Sequence, residues 1–186
     1  ERVPTPAKLE DVRGLVSAID EVVTAAVAAA ARTTNSGKAI DDHQVHAERI
    51  AYVATELEAC KAITAYAADA RAAGAADANL YVEEAAVFAG EVAAKLYGSV
   101  RMAARDFALP DGLLERTVGS AATVSRIGDF VSEDRIRAIG RCVEALHAHG
   151  VQHADLNAHN LLLGAAGEAY VLDFDRGRIR GRGTWE

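Results

Sequence analysis

Leu9, Val12, Val16, Ile19, Val23, Val27 and Ala30 recur every three or four residues, the spacing that lays apolar side chains along one face of an α-helix. Thr5-Pro6 reads as the start of this helix, and TTNSGKAIDD interrupts it. A second repeat follows, with Ile50, Val53, Leu57, Cys60 and Thr64 on one face and a stop near Gly74. A third, from about residue 79 to 105, aligns Ala85, Phe88, Val92 and Leu96. Helices joined by such short connections pack antiparallel, so residues 1–109 are expected to form a helical bundle. The apolar fraction of 51% is inflated by alanine, which favours helix while adding little core volume. The fold class expected is mainly α.

At LPDG, residues 109–112, proline and glycine punctuate the pattern, and the less regular stretch 110–132 reads as a linker. Residues 133–186 are expected to form the following unit, opening with a helix. Ser132 with Glu133 and Asp134 suits a helix N-terminus, Ile136, Ile139, Val143 and Leu146 form a stripe, and Gly150 ends it. NLLLG and EAYVLD then flank the turn GAAG, which predicts one small β-hairpin.

Composition removes several classes of function. The two cysteines, Cys60 and Cys142, give neither a disulfide framework nor a paired zinc motif, as expected of a reducing cytoplasm. No run of about 18 apolar residues is free of charge, so no membrane span is expected. The net charge is −7, and no nucleic-acid partner is expected. That charge is uneven: Arg176, Arg178, Arg180 and Arg182 against Glu186 make residues 176–186 +3, leaving −10 on residues 1–175. Such an end either attracts a phosphorylated or lipid-borne anion or is a solvated arginine-rich loop.

The densest chemistry lies in HADLNAHN, residues 153–160. It fits His-x-Asp-Leu-x-x-x-Asn, the catalytic-loop pattern of protein-kinase-like enzymes, and thirteen residues beyond Asn160 comes Asp173-Phe174-Asp175. Phosphoryl transfer needs a carboxylate near the attacking hydroxyl and oxygen ligands for magnesium on the nucleotide phosphates. Asp155, Asn160 and Asp173 are the residues assigned to these tasks. His153 is expected to brace the loop. It stands four residues after His149, but Gly150 lies between, so the two do not share a helix face as zinc ligands would. His159 reads as a surface residue. His43 and His46, beside Asp41 and Asp42, either share a helical turn able to bind metal or form a solvated helix start.

The longer run GVQHADLNAHNLLLGAAGEAYVLDFDRGRIRGRGTW resembles the 3-deoxy-D-manno-octulosonic acid (Kdo) kinases, over about residues 136–185. Asn157 stands where protein kinases carry lysine and DFDRG where they carry Asp-Phe-Gly, both as in that family. The resemblance implies a protein-kinase-like C-lobe and ATP as co-substrate with Mg2+. It implies Asp155 as catalytic base, Asn160 and Asp173 as magnesium ligands, and Asn157 and Asp175 in support. The acceptor implied is a Kdo-containing lipid A precursor at the cytoplasmic face of the inner membrane, with peripheral membrane contact. AIDDHQVHAERIAYVATELEACKAITAYA and FAGEVAAKLYGSVRMAARDFAL resemble helical regions of acyl-CoA dehydrogenases, of the kind that extend methylsuccinyl-CoA dehydrogenases. That resemblance implies a helical bundle, capable of homo-oligomer formation, and transfers no flavin site.

A kinase of this type also uses a glycine-rich loop and a strand lysine paired with a helix glutamate. The lysines are Lys8, Lys38, Lys61 and Lys95, none in a strand-like run, and NSGKA lacks the earlier glycine of a P-loop. The kinase portion is therefore expected to be a fragment of that fold. Three readings stay open: a Kdo-kinase-type phosphotransferase, a helical binding or assembly module, and an inactive truncated or fused product.

Overall fold

The computed structural model describes residues 5–75, 78–136 and 140, together with the backbone of four short strands beyond. The described residues are mainly helical. Three long helices, α1 (Leu9–Thr33), α2 (Gln44–Ala72) and α3 (Ala78–Met102), are followed by α4 (Ala104–Phe107), α5 (Leu113–Arg116) and α6 (Ala121–Phe130). Residues 133–136 are helical again. The strands are β1 (Val151–Gln152), β2 (Leu161–Leu163), β3 (Ala169–Val171) and β4 (Arg178–Ile179).

The apolar repeats become one core. Val12, Leu15, Ile19 and Val22 of α1 meet Ile50, Val53, Leu57 and Cys60 of α2 and Val82, Val92 and Leu96 of α3. Between them sit buried alanines, among them Ala26, Ala67, Ala85, Ala86, Ala89 and Ala93. Their small side chains let helix backbones approach, so alanine here sets interhelical spacing as well as helix propensity. On α2 and α3, Tyr66 lies edge-on to Tyr81 at 4.9 Å and Glu56 pairs with Lys95. A lower number on α2 thus meets a higher one on α3, and these two helices run in opposite directions.

Local chemistry explains the ends. α1 begins at Leu9 and not at Thr5-Pro6, because the Thr5 carbonyl and the Ala7 N–H are engaged by side chains distant in sequence. At its far end the Thr34 hydroxyl donates to the Ala30 carbonyl at 2.8 Å and accepts the Gly37 N–H at 3.1 Å. Asn35, Ser36 and Gly37 then take positive φ, a conformation that glycine and asparagine tolerate best. α2 stops before Gly74, at φ +69, the left-handed residue that commonly ends a helix.

Residues 110–132, expected to be a linker, carry α5 and α6 and give Leu114, Val118, Ile127 and Phe130 to the same core. Ser120 caps α6 by accepting the Thr123 N–H at 3.2 Å. α6 lies close on α3, since a Cβ on Gly90 would stand 2.8 Å from the Phe130 Cβ. Ile136, expected in a buried stripe, is 44% exposed, while Arg135 beside it is 4% exposed. The next section of that stripe, Ile139, Val143 and Leu146, lies outside the described residues.

α1 is long and apolar enough in composition to cross a membrane. Its Val12, Leu15, Ile19, Val22 and Val23 are nevertheless packed in the core, which accounts for its hydropathy without a bilayer.

Candidate catalytic segment and its helical support

Four strands frame the motif. β1 ends at Gln152, immediately before His153, and β2 starts at Leu161, immediately after Asn160. β3 ends at Val171, two residues before Asp173, and β4 starts at Arg178. β2 and β3 fall within the two runs read as a hairpin and pair antiparallel, Leu161 with Val171, Leu162 with Tyr170 and Leu163 with Ala169. β1 and β4 also pair antiparallel, Val151 with Ile179 and Gln152 with Arg178. Sequence reading missed this second pairing because two-residue strands carry no periodicity; the only signal is the β-branched pair Val151 and Ile179.

The nested pairing has a consequence for the chain between the strands. Segment 153–160 runs from Gln152 to Leu161, and segment 172–177 runs from Val171 to Arg178. Gln152 pairs with Arg178 and Leu161 with Val171, and opposed residues of antiparallel strands stand about 4.5–5.5 Å apart at Cα. The described strand ends that flank the two segments in sequence are therefore paired with each other. His153, Asp155, Asn157, Asn160, Asp173, Asp175, Arg176, Arg180 and Arg182 themselves lie outside the described residues, and Arg178 is described in its backbone alone.

The lysines are accounted for. Lys8 precedes α1, and Lys38 lies in the turn after it. Lys61 on α2 bridges Asp20 at 2.8 Å and Glu58 at 2.9 Å, contacts that raise its pKa. Lys95 on α3 pairs with Glu56 on α2. This last lysine–glutamate pair joins two helices, so it is not the strand-to-helix pair of a kinase N-lobe. His43 sits in a 3-10 turn, Ile40–His43, and His46 in the first turn of α2. The His46 Nε2 is enclosed and has no hydrogen-bond partner. Among the described residues no three His, Cys, Asp or Glu side chains stand together as a metal group.

Two acids, the buried Cys60 and the half-buried Glu84, differ from their usual behaviour. Burial, reinforced by the neighbouring Glu56, pushes the Cys60 thiol up to about 12, which leaves it an inert core group. Burial alone pushes the Glu84 carboxyl up to about 7. Glu84 lies on α3 one turn from Leu80 and one turn from Phe88, both partly buried apolar residues packed on the core. A third acid, Glu83, pairs with Arg135, whose side chain is 5% exposed. Sequence reading had no signal for that pair, since its members stand 52 positions apart.

Comparison with known proteins finds two family matches that overlap. Residues 12–141 match the family model of the acyl-CoA dehydrogenase C-terminal domain, and over that majority of its length the chain belongs to this family. Residues 115–186 match the lipopolysaccharide kinase (Kdo/WaaP) family. Within that region the chain is 43% identical over 68 residues to the 3-deoxy-D-manno-octulosonic acid kinase of Xylella fastidiosa (strain M12), covering 37% of this chain and 27% of that protein. It is 51% identical over 41 residues to the enzyme of the same name from Xanthomonas campestris pv. campestris (strain B100), covering 22% and 16%. The chain thus spans about a quarter of the length of the Xylella relative and less of the Xanthomonas one. No solved structure matches it. The two family matches overlap at residues 115–141, so the kinase-type match reaches further toward the N-terminus than residue 136, and the helical match further toward the C-terminus than residue 109.

Proposed function

We propose that the chain carries a Kdo-kinase-type phosphotransferase segment, a partial protein-kinase-like C-lobe, on a helical unit of the acyl-CoA dehydrogenase C-terminal-domain kind. The observation that carries this reading is the antiparallel pairing of Gln152 with Arg178 and of Leu161 with Val171, strand residues that flank in sequence the two segments holding Asp155, Asn160 and Asp173. The kinase relatives support it by identity over a partial region of the chain, and the kinase family match covers residues 115–186. Asp155 accepts the proton of the acceptor hydroxyl as that oxygen attacks phosphorus. The Asn160 amide oxygen and the Asp173 carboxylate are hard oxygen donors of the kind that suit Mg2+. These two residues would hold Mg2+ with ATP, where it would supply neutralisation of the phosphate charge. His153, Asn157 and Asp175 support the loop, and Arg176, Arg178, Arg180 and Arg182 offer guanidinium groups to the anionic acceptor, a Kdo-containing lipid A precursor at the cytoplasmic face of the inner membrane.

Every lysine of the chain lies in a helix, beside one, or in a turn, so none is a strand lysine orienting the phosphates. Orientation supplies much of the rate in phosphoryl transfer, and the chain by itself is expected to transfer phosphate at background rate. Its nucleotide site is tested by binding. Millimolar Mg-ATP should raise the melting temperature, because a ligand that binds only the folded state stabilises it. Asp173→Ala should abolish that rise. An equal rise in the variant, or none in either protein, would refute the assignment.

A second reading is favoured by the family membership of residues 12–141 and by Val45, Tyr52 and Tyr66, exposed at multiples of seven residues along α2. Here the helical unit serves assembly or CoA-ester binding. Light scattering that shows a concentration-independent monomer, with no thermal shift from an acyl-CoA, would remove it.

A further inference from the structure

Thr5, Ala7, Glu83, Asp129 and Arg135 meet at one point. One Glu83 carboxylate oxygen accepts the Ala7 N–H at 2.7 Å, and the other accepts from Arg135 Nη1. Arg135 Nη2 donates to the Thr5 carbonyl at 2.9 Å, and its Nε donates to the Asp129 carbonyl at 3.1 Å. The guanidinium stands 5.6 Å from the centre of the Phe130 ring. Four parts of the chain converge here: the stretch before α1, the first half of α3, the end of α6 and the helical residues 133–136.

The stretch before α1 is held by its backbone. Glu83 takes an N–H and Arg135 takes a carbonyl two residues earlier, and Pro6 between them has no N–H to satisfy. A nearly buried guanidinium is tolerated only while its donors and its charge are answered. Its three nitrogens here bond three different segments, so loss of one partner leaves a donor, or the charge itself, uncompensated in a desolvated place. The partners therefore hold one another in place, and by linkage the effect runs both ways.

We infer that Glu83 and Arg135 form a latch through which the N-terminal strap, Thr5–Ala7, holds the helical stretch 133–136 against α3 and α6. Its functional meaning rests on the reading above, since this stretch is the last described helical turn of several residues before the candidate catalytic segment in sequence. The latch itself does not depend on that reading. Release of the strap loosens residues 133–136, and loosening there frees the strap.

Hydrogen exchange on the full chain tests this without nucleotide or acceptor, so its outcome is independent of whether the kinase reading stands. The Arg135 and Ile136 amides, both donating to the Ser132 carbonyl at 3.0 Å, report on the stretch. Removal of residues 1–7 should speed their exchange about tenfold while the α2 amides from Val53 to Ala67 keep their rates. Glu83→Gln, which keeps the shape and loses the charge, should speed exchange both there and at Ala7. Arg135→Lys, which keeps the charge and loses the three-way fork, should do the same. Unchanged exchange at Arg135 and Ile136 after strap removal would overturn the latch. So would equal acceleration throughout all helices, which would mark general destabilisation instead of coupling.

Discussion

The helical unit and the kinase-type segment use their residues in opposite ways. In the first, function is spread: Val12, Leu15, Ile19, Leu57, Val82 and Leu96 each bury apolar surface in one shared core, and any one of them could be another apolar residue of similar volume. In the second, Asp155, Asn160 and Asp173 are proposed to act by the identity of single oxygen atoms, and the two paired strand ends, Gln152 with Arg178 and Leu161 with Val171, are the scaffold they need. A diffuse core withstands drift in sequence, whereas a point site withstands drift everywhere except at its points. This difference fits a chain in which the kinase relatives share 43% identity over only 68 residues while the larger match is a helical family model.

The largest effect expected from the helical side is loss of core volume. Leu96, 1% exposed, should cost about 2–5 kcal/mol as Leu96→Ala, through lost transfer energy and the cavity left behind. Read by urea denaturation, the midpoint should fall while Mg-ATP affinity of the folded fraction stays as in the parent. Asp173→Ala should do the reverse. If Leu96→Ala removed nucleotide affinity at temperatures where it is folded, the division of labour between the regions would fail. A smaller effect comes from close approach of backbones. A Cβ at Gly90 would lie 2.8 Å from the Phe130 Cβ and 3.0 Å from Val131 Cγ1, whereas one at Gly98, in the same helix, would meet nothing within 4 Å. Gly90→Ala should therefore destabilise by about 1–2 kcal/mol despite its better helix propensity, and Gly98→Ala should stabilise by about 0.5–1 kcal/mol. Equal signs for the two would contradict the α3–α6 contact.

How much of this was legible follows from length and chemistry. The faces of α2 and α3 could be read because a repeat of three to four persists over 29 and 25 residues. α5 and α6, of 4 and 10 residues, are too short to establish a period, so their core residues Leu114, Ile127 and Phe130, with Val118 in the turn between them, read as linker. Arg135 was hidden for another reason. A charged residue signals exposure, and only its pairing with Glu83, a long-range event, makes burial tolerable. Ile136 beside it was expected inside and is exposed, since Arg135 takes the inward position of that turn. The catalytic segment was legible through residue types at fixed offsets. The β1–β4 pairing was not, because it joins residues 26 and 28 positions apart through only two residues on each side.

Glu84 offers the finest test, because it places a group titrating near neutrality inside the region that otherwise works by packing. Burial pushes its carboxyl from the ordinary 4.5 up to about 7, while in the unfolded chain it titrates near the ordinary value. Below that ordinary value the carboxyl is neutral in both states and costs nothing. As pH rises from there to about 7 the folded state retains a proton that the unfolded state has lost, so the folded state is progressively disfavoured. Above about 7 both states are ionised and the penalty is constant. Glu84→Gln keeps the shape and cannot ionise. Stability of the variant minus that of the parent, from denaturation at a series of pH values, should be lowest below pH 4.5, rise between 4.5 and 7, and level off above. The rise should be roughly 1–2 kcal/mol, since solvent reaching a partly buried group screens part of the full shift. The subtraction cancels groups common to both proteins, and a difference that stays flat or falls with pH would mean that Glu84 is solvated in the folded chain.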